Sequence, residues 1–199
     1  MSPNEIISIV IFLLVMVAIV SEKVHRAAAS LAGAVILLVT HVLTVDSAIE
    51  HVDVNTIGVL VGMMLFVAVV KNSGLFEYIA IKSAKLTHGK PWAIMAVFAI
   101  ITAVLSAFLD NVTTVLLVGP MTLAITSILK VNPVPFLLTQ ILASNMGGTA
   151  TLIGDPPNIM IGSEAGLGFA DFILNTAPIV VIIMAASLLC FYLMFGRKL

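Results

Sequence analysis

The chain has 199 residues, of which 61% are hydrophobic and 10% charged, with a formal net charge of −1 and a mean hydropathy of +1.22. A soluble domain carries about 25% charged residues, so this composition excludes one and points to an integral membrane protein. The single cysteine, Cys190, lies in an apolar run and excludes an intrachain disulfide.

A transmembrane helix needs about 20 mainly apolar residues. Ile6 to Val20, Ala27 to Leu43 and Thr56 to Val70 meet that need as three spans. The first has no basic leader and no small-residue cleavage site, so it reads as a retained helix rather than a signal peptide. Leu75 to Leu86 is too short to span; its Leu75, Ile79 and Leu86 against Glu77, Lys82 and Lys85 suit a helix lying at the membrane surface. Next come two apolar arms, Pro91 to Leu109 and Val112 to Leu129, meeting at Asp110 and Asn111 as a hairpin. An interrupted segment follows over 133–166, and one long closing span is expected from Phe172 to Phe195.

The charges orient these elements. If the hairpin returns the chain to its starting side, Lys23, Arg26, Lys71, Lys82, Lys85, Lys90, Lys130, Arg197 and Lys198 all share one face, and Glu5, Asp46, Glu50, Asp53, Glu164 and Asp171 take the other. The bias toward basic cytoplasmic loops then predicts a plasma (inner) membrane protein with its N-terminus outside and its C-terminus in the cytoplasm. Leaving the hairpin aside, the crossings are odd in number, so a second copy of this unit fused behind it would be inverted. Inverted repeats with broken helices are the architecture of many secondary transporters. A second inverted repeat or subunit is therefore expected as a partner. An antiparallel dimer is the alternative, but it needs copies inserted upside down, which one-sided charge disfavours.

The hairpin tip sets Asp110, Asn111, Thr113 and Thr114 together. Such groups at membrane depth need water, an ion or each other; alternatively the arms span fully and Asp110 caps the second helix. The interrupted segment centres on Ser144 to Asn158, reading SNMGGTATLIGDPPN. Gly147, Gly148 and Gly154 disfavour a helix and Pro156 and Pro157 bar one, so the helix is predicted to stop and restart. Opened backbone at depth must line protein or a watery cavity. Ser144, Asn145, Thr149 and Thr151 offer neutral oxygens for Na+, the opened turn at Gly147 and Gly148 exposes backbone, and the restarted helix, with Asn158 in its first turn, presents amides to an anion. The competing reading is a packing kink whose small residues let a neighbour approach. Asp155 either carries a proton or cation or fixes the proline turn through local amides. His25, His41, His51 and His88 have no ligand spacing on one helix, so no metal site beyond Na+ is expected. No nucleophile elbow, phosphate loop or dinucleotide fingerprint occurs, so neither an enzyme, a resident cofactor nor a nucleic-acid partner is expected.

Two long motifs, AFLDNVTTVLLVGPMT at Ala107 to Thr122 and SNMGGTATLIGDPPNIMIGS at Ser144 to Ser163, resemble the ArsB/NhaD permeases of the ion transporter superfamily, in particular their P-protein (melanosomal) branch. The likeness covers the whole chain as the first half of such a carrier, with a citrate-transporter-like domain. In the related divalent-anion/sodium symporters a hairpin tip and an interrupted helix jointly hold Na+ and substrate. By that resemblance Asn111, Thr113 and Thr114 match the tip, and Ser144, Asn145 and Thr149 the interrupted loop; Met146, Gly147 and Gly148 separate Asn145 from Thr149 and depart from the symporter signature. Members move arsenite, organic anions, or Na+ against H+.

The sequence thus reads as an all-α polytopic membrane protein, one repeat of an inverted-repeat carrier. Residues 1–70 would form a scaffold, 71–90 an interfacial connector and 91–199 the transport part. Its expected cargo is a small inorganic or organic anion coupled to Na+ or H+. The rivals are a Na+/H+ antiporter and a non-transporting membrane subunit or truncated fragment.

Overall fold

The computed structural model describes residues 2–87 and 89–196. His88 and the basic pair Arg197 and Lys198 lie outside the described residues, as does the side chain of Glu77. All regular structure among the described residues is helical, and the chain divides into two compact units, Met1–Asp53 and Val54–Leu199.

In the first unit α1 (Pro3–Val20) opens on a reciprocal cap: Glu5 N donates to Ser2 Oγ at 3.3 Å and Ser2 N to Glu5 Oε2 at 3.1 Å. It packs on α2 (Arg26–Val39), which is shorter than its apolar run. Val42 and Leu43 instead turn back to donate to the Leu37 carbonyl, and His41 takes a left-handed φ of 54°. The short α3 (Val45–Glu50), capped by Thr44, follows.

The second unit holds both predicted site regions. It begins with α4 (Val54–Asn72) and α5 (Leu75–Leu86), the latter at its expected bounds and packed against the hairpin arms, with Ser83 buried. The hairpin is α6 (Pro91–Ser106) and α7 (Asn111–Leu129). At 1.5 Å per residue α6 rises about 24 Å, short of a hydrocarbon core of about 30 Å, while α7 is long and apolar enough to cross a bilayer. The interrupted segment is α8 (Val134–Gly148), an open stretch over 149–155, and α9 (Pro156–Ala165), closed by Gly166 with φ 66°. Ile94, Met95, Phe98, Val118, Phe136 and Phe191 form the main core, where α8 packs on both hairpin arms.

Two sequence expectations need correcting. The closing span is not one helix: α10 (Phe169–Asn175) and α11 (Ala177–Phe191) meet at Thr176, with Pro178 in the first turn of α11, and α11 runs into a wide turn over Tyr192–Gly196. Pro178 has no N–H to continue the ladder from α10, and it is tolerated in the first turn of α11, where that donor is not needed. Nor is the backbone opened at Gly147 and Gly148, which complete α8. Their purpose is proximity: a Cβ on Gly147 would collide with the backbone of Ala103. At the far end of the hairpin from Asp110, Trp92 meets Tyr192 edge to face with ring centres 5.1 Å apart.

Candidate functional site

The hairpin tip builds itself from local chemistry. Asp110, in extended conformation, caps α7 by accepting from Thr113 N at 2.8 Å, and the buried Thr114 donates Oγ1 to the Asp110 carbonyl at 2.9 Å. Asn111 turns its carboxamide oxygen to its neighbour, accepting from Val112 N at 3.0 Å. That leaves the Asn111 amide free to reach across to the other motif, where Nδ2 donates to Asn145 Oδ1 at 2.9 Å. Residues 34 positions apart thereby join the tip to the end of α8.

Asn145 is exposed and half of its capacity is already spent, since its Nδ2 donates to the Ile141 carbonyl at 2.8 Å. Ser144 is buried beside it and donates to the same carbonyl at 2.9 Å. Asn111, Ser144 and Asn145 line one groove with Val112, Val115, Leu116 and Ile141, of about 260 Å³. Its polar atoms are neutral, and each retains a lone pair or an amide hydrogen for a solute. Thr149 stands at the C-cap of α8, exposed, with Oγ1 donating to the Met146 carbonyl at 2.8 Å.

The open stretch is closed in upon itself. Thr151 is buried and donates Oγ1 to the Ala107 carbonyl next to the tip, while accepting from Gly154 N at 3.2 Å. Asn158 donates both hydrogens of its amide inward, to the Gly148 carbonyl at 3.2 Å and to Thr151 O at 2.9 Å. From further along, Thr176 Oγ1 reaches the Ala150 carbonyl at 3.1 Å. Three side chains thus take the place of the missing helical donors. Thr151 and Asn158 hold the break, whereas Asn111, Ser144 and Asn145 line the groove and Thr149 is exposed at the end of α8.

Asp155 occupies the cap position of α9 but makes no side-chain cap bond, so the reading in which it fixes the proline turn through local amides is not met. Its carboxylate instead lies over Gly148, with Oδ2 3.0 Å from where a Cβ would stand. It also lies within electrostatic reach of Asp110. Gly154 is equally confined, because a Cβ there would meet the backbone of Gly148 and Ser106.

Sequence reasoning missed Gln140. It is buried in the helix interface, donates Nε2 to Thr122 Oγ1 of α7 at 2.5 Å, and leaves Oε1 without a partner. Ser106 Oγ is the other buried side-chain atom without a partner among the described residues. The signal for Gln140 was present: a lone carboxamide one helical turn before Ser144 in an apolar helix is costly unless paired.

Among the described residues four helices are long and apolar enough to cross a bilayer, and a polar hairpin tip is bonded to a broken helix: these are features of an integral membrane protein. The chain belongs to the citrate transporter family, whose model matches residues 16–199. It is 43% identical over 196 residues to an uncharacterised transporter of Mycobacterium tuberculosis (strain ATCC 25618 / H37Rv), covering 96% of this chain and 46% of that one. It is 42% identical over 183 residues to the 46 kDa membrane protein of Mycobacterium leprae (strain TN), covering 90% and 43%. With the human P protein it shares 38% identity over 195 residues, 91% of this chain and 23% of the relative, in keeping with the resemblance to that branch. The chain spans about half the length of the mycobacterial relatives it matches.

Proposed function

We propose that this chain supplies one half of the transport site of a secondary carrier that moves a small inorganic or organic anion with Na+ or H+. The observation that carries this reading is the bond from Asn111 to Asn145, which joins the hairpin tip to the end of α8 beside one groove. Neutral oxygens of Asn111, Thr113, Ser144, Asn145 and Thr149 would hold Na+. The helix starts expected to hold the anion are occupied: α9 opens on two prolines without N–H, Asn158 N and Ile159 N donate to the Asp155 carbonyl, and Val112, Thr113 and Thr114 N donate to Asn111 and Asp110. The anion would therefore be met by other groups of the complete site. Residues 1–70 would serve as scaffold, and the hairpin with the broken helix as the moving part. A second inverted repeat would complete the site, and the basic loops would face the cytoplasm with the N-terminus outside. The test is flux in the protein that contains this chain: Asn145→Ala or Thr149→Ala is expected to abolish uptake while membrane insertion stays intact. Unchanged uptake would sink the proposal.

Na+/H+ antiport is the second reading: Asp110 and Asp155, acidic residues at the starts of α7 and α9, would be the groups that exchange protons for a cation. Flux that persists with Na+ and H+ as the only solutes would select it, and an obligatory anion would exclude it.

A further inference from the structure

The hairpin sorts the charges of the second unit. The acidic residues of that unit are Glu77, Asp110, Asp155, Glu164 and Asp171. Asp110 caps α7 at the tip, and Asp155 lies over Gly148 near it. Glu164 and Asp171 belong to α9 and α10, ahead of α11, whose first residue, Ala177, lines a cavity with Ala107 beside the tip. The lysines gather at the opposite, open end. Lys90 stands at the start of α6 and Lys130 at the end of α7. Lys82 and Lys85 lie on α5, which packs on both arms and turns into α6 with Lys90 N donating to the Thr87 carbonyl at 3.1 Å. All four are exposed, and the sequence sets only Glu77 of α5 near them.

The aromatic residues with a polar edge share that end. The one tryptophan and two tyrosines of the chain are Trp92, Tyr192 and Tyr78. The first two meet with ring centres 5.1 Å apart, and Lys82 Nζ stands 5.6 Å from the centre of the Tyr78 ring. Trp and Tyr settle at the headgroup level of a bilayer, so lysines and aromatics mark one interface. Local helix chemistry would choose differently at two of these lysines. An N-cap favours Ser, Thr, Asp or Asn and the positive end of a helix repels a cation, yet Lys90 is there with no side-chain cap bond. Lys130 suits the negative end of α7, but its φ of 55° is one that glycine adopts at less cost. We propose that Lys82, Lys85, Lys90 and Lys130 form a docking surface for the phosphate of an anionic phospholipid. Ammonium groups meet a phosphate as point charges without fixed geometry, and clusters of this size beside a membrane helix select anionic lipid. The surface lies at the far end of the hairpin from Asn111 and Asn145 and is independent of the carrier reading.

The test is native mass spectrometry of the complete protein, titrated in neutral detergent with phosphatidylglycerol or with phosphatidylcholine of the same acyl chains. Phosphatidylglycerol should be retained and phosphatidylcholine should not. A lysine near the surface contributes about fivefold, so Lys90→Gln combined with Lys130→Gln should weaken phosphatidylglycerol binding about thirtyfold. Lys90→Arg with Lys130→Arg keeps both charges and should bind like the parent. Lys23→Gln with Arg26→Gln removes as much charge from the first unit and should change nothing. Equal retention of the two lipids would overturn the inference, as would parental binding by the Lys90 and Lys130 glutamine variant or an equal loss in the Lys23 and Arg26 variant. Displacement of the lipid by millimolar inorganic phosphate would assign the surface to a free anion and overturn it too.

Discussion

The hairpin tip and the break in the second motif solve the same problem in opposite ways. Each leaves helix ends inside an apolar bundle, where every amide and carbonyl needs a partner. The tip settles the matter within four residues, through Asp110 to Thr113 and Thr114 to Asp110. The break uses partners that are far away in sequence: Thr151 with Ala107, Asn158 with Gly148, and Thr176 with Ala150. A turn made of local bonds tolerates loss of its surroundings, whereas one made of distant bonds exists only when the whole unit is folded. The break should therefore be the more fragile of the two and the one more responsive to change elsewhere.

Substitutions can push on that contrast, beginning where the effect is largest. Gly147→Ala sets a methyl against the backbone of Ala103, which no rotamer change relieves, so it should cost about 3 kcal/mol or more. Thermal unfolding in detergent should show a large drop, and a wild-type melting temperature would mean that α8 does not sit this close to α6. Asn158→Ala removes two inward bonds from the break. Polar bonds in membrane proteins contribute about 0.6 kcal/mol on average and at most about 1.7, so a loss of about 1–3 kcal/mol is expected. Asn158→Asp should fare no better, because a carboxylate cannot donate to the Gly148 and Thr151 carbonyls; recovery in the Asp variant would contradict the assigned bonds. Asp110→Ala tests the tip and should cost about 1 kcal/mol, while Asp110→Asn, also a good cap, should cost little. If the Asn variant keeps its stability but loses flux, the charge of Asp110 serves transport and not the turn. Smallest of all, Thr149→Ala should change stability by less than about 0.5 kcal/mol, since its exposed hydroxyl bonds only its own helix. A large fall in its melting temperature would move Thr149 from the groove to the support of the break.

The same contrast explains what could be read in advance. The position of the tip was legible because its polar residues lie together after an apolar arm, but its chemistry was only half legible: the Asp110 cap, the alternative reading of those residues, is what the structure shows. The end of α5 and the restart at Pro156 were legible for similar reasons. Gly147 and Gly148 misled because glycine is a poor helix former in isolation, and that weak preference yields when a neighbour packs where a side chain would be. Gln140 and Thr122 went unpaired because apolar periodicity is nearly uniform around α7 and α8, so nothing in the sequence fixes which faces meet. The division at Thr176 could have been seen, since Pro178 marks it.

Trp92 lies where the hairpin opens, edge-on to Tyr192 of the closing segment, and it is the only tryptophan in the chain. Indole absorbs further to the red than tyrosine, so light taken up there by this chain is re-emitted from one known place. Its colour reports how wet that end of the hairpin is, and its quenching by brominated lipid reports how deep. This stretch of chain thus carries its own optical gauge where α6 meets the turn that follows α11, so movement of one past the other can be followed without attaching a dye.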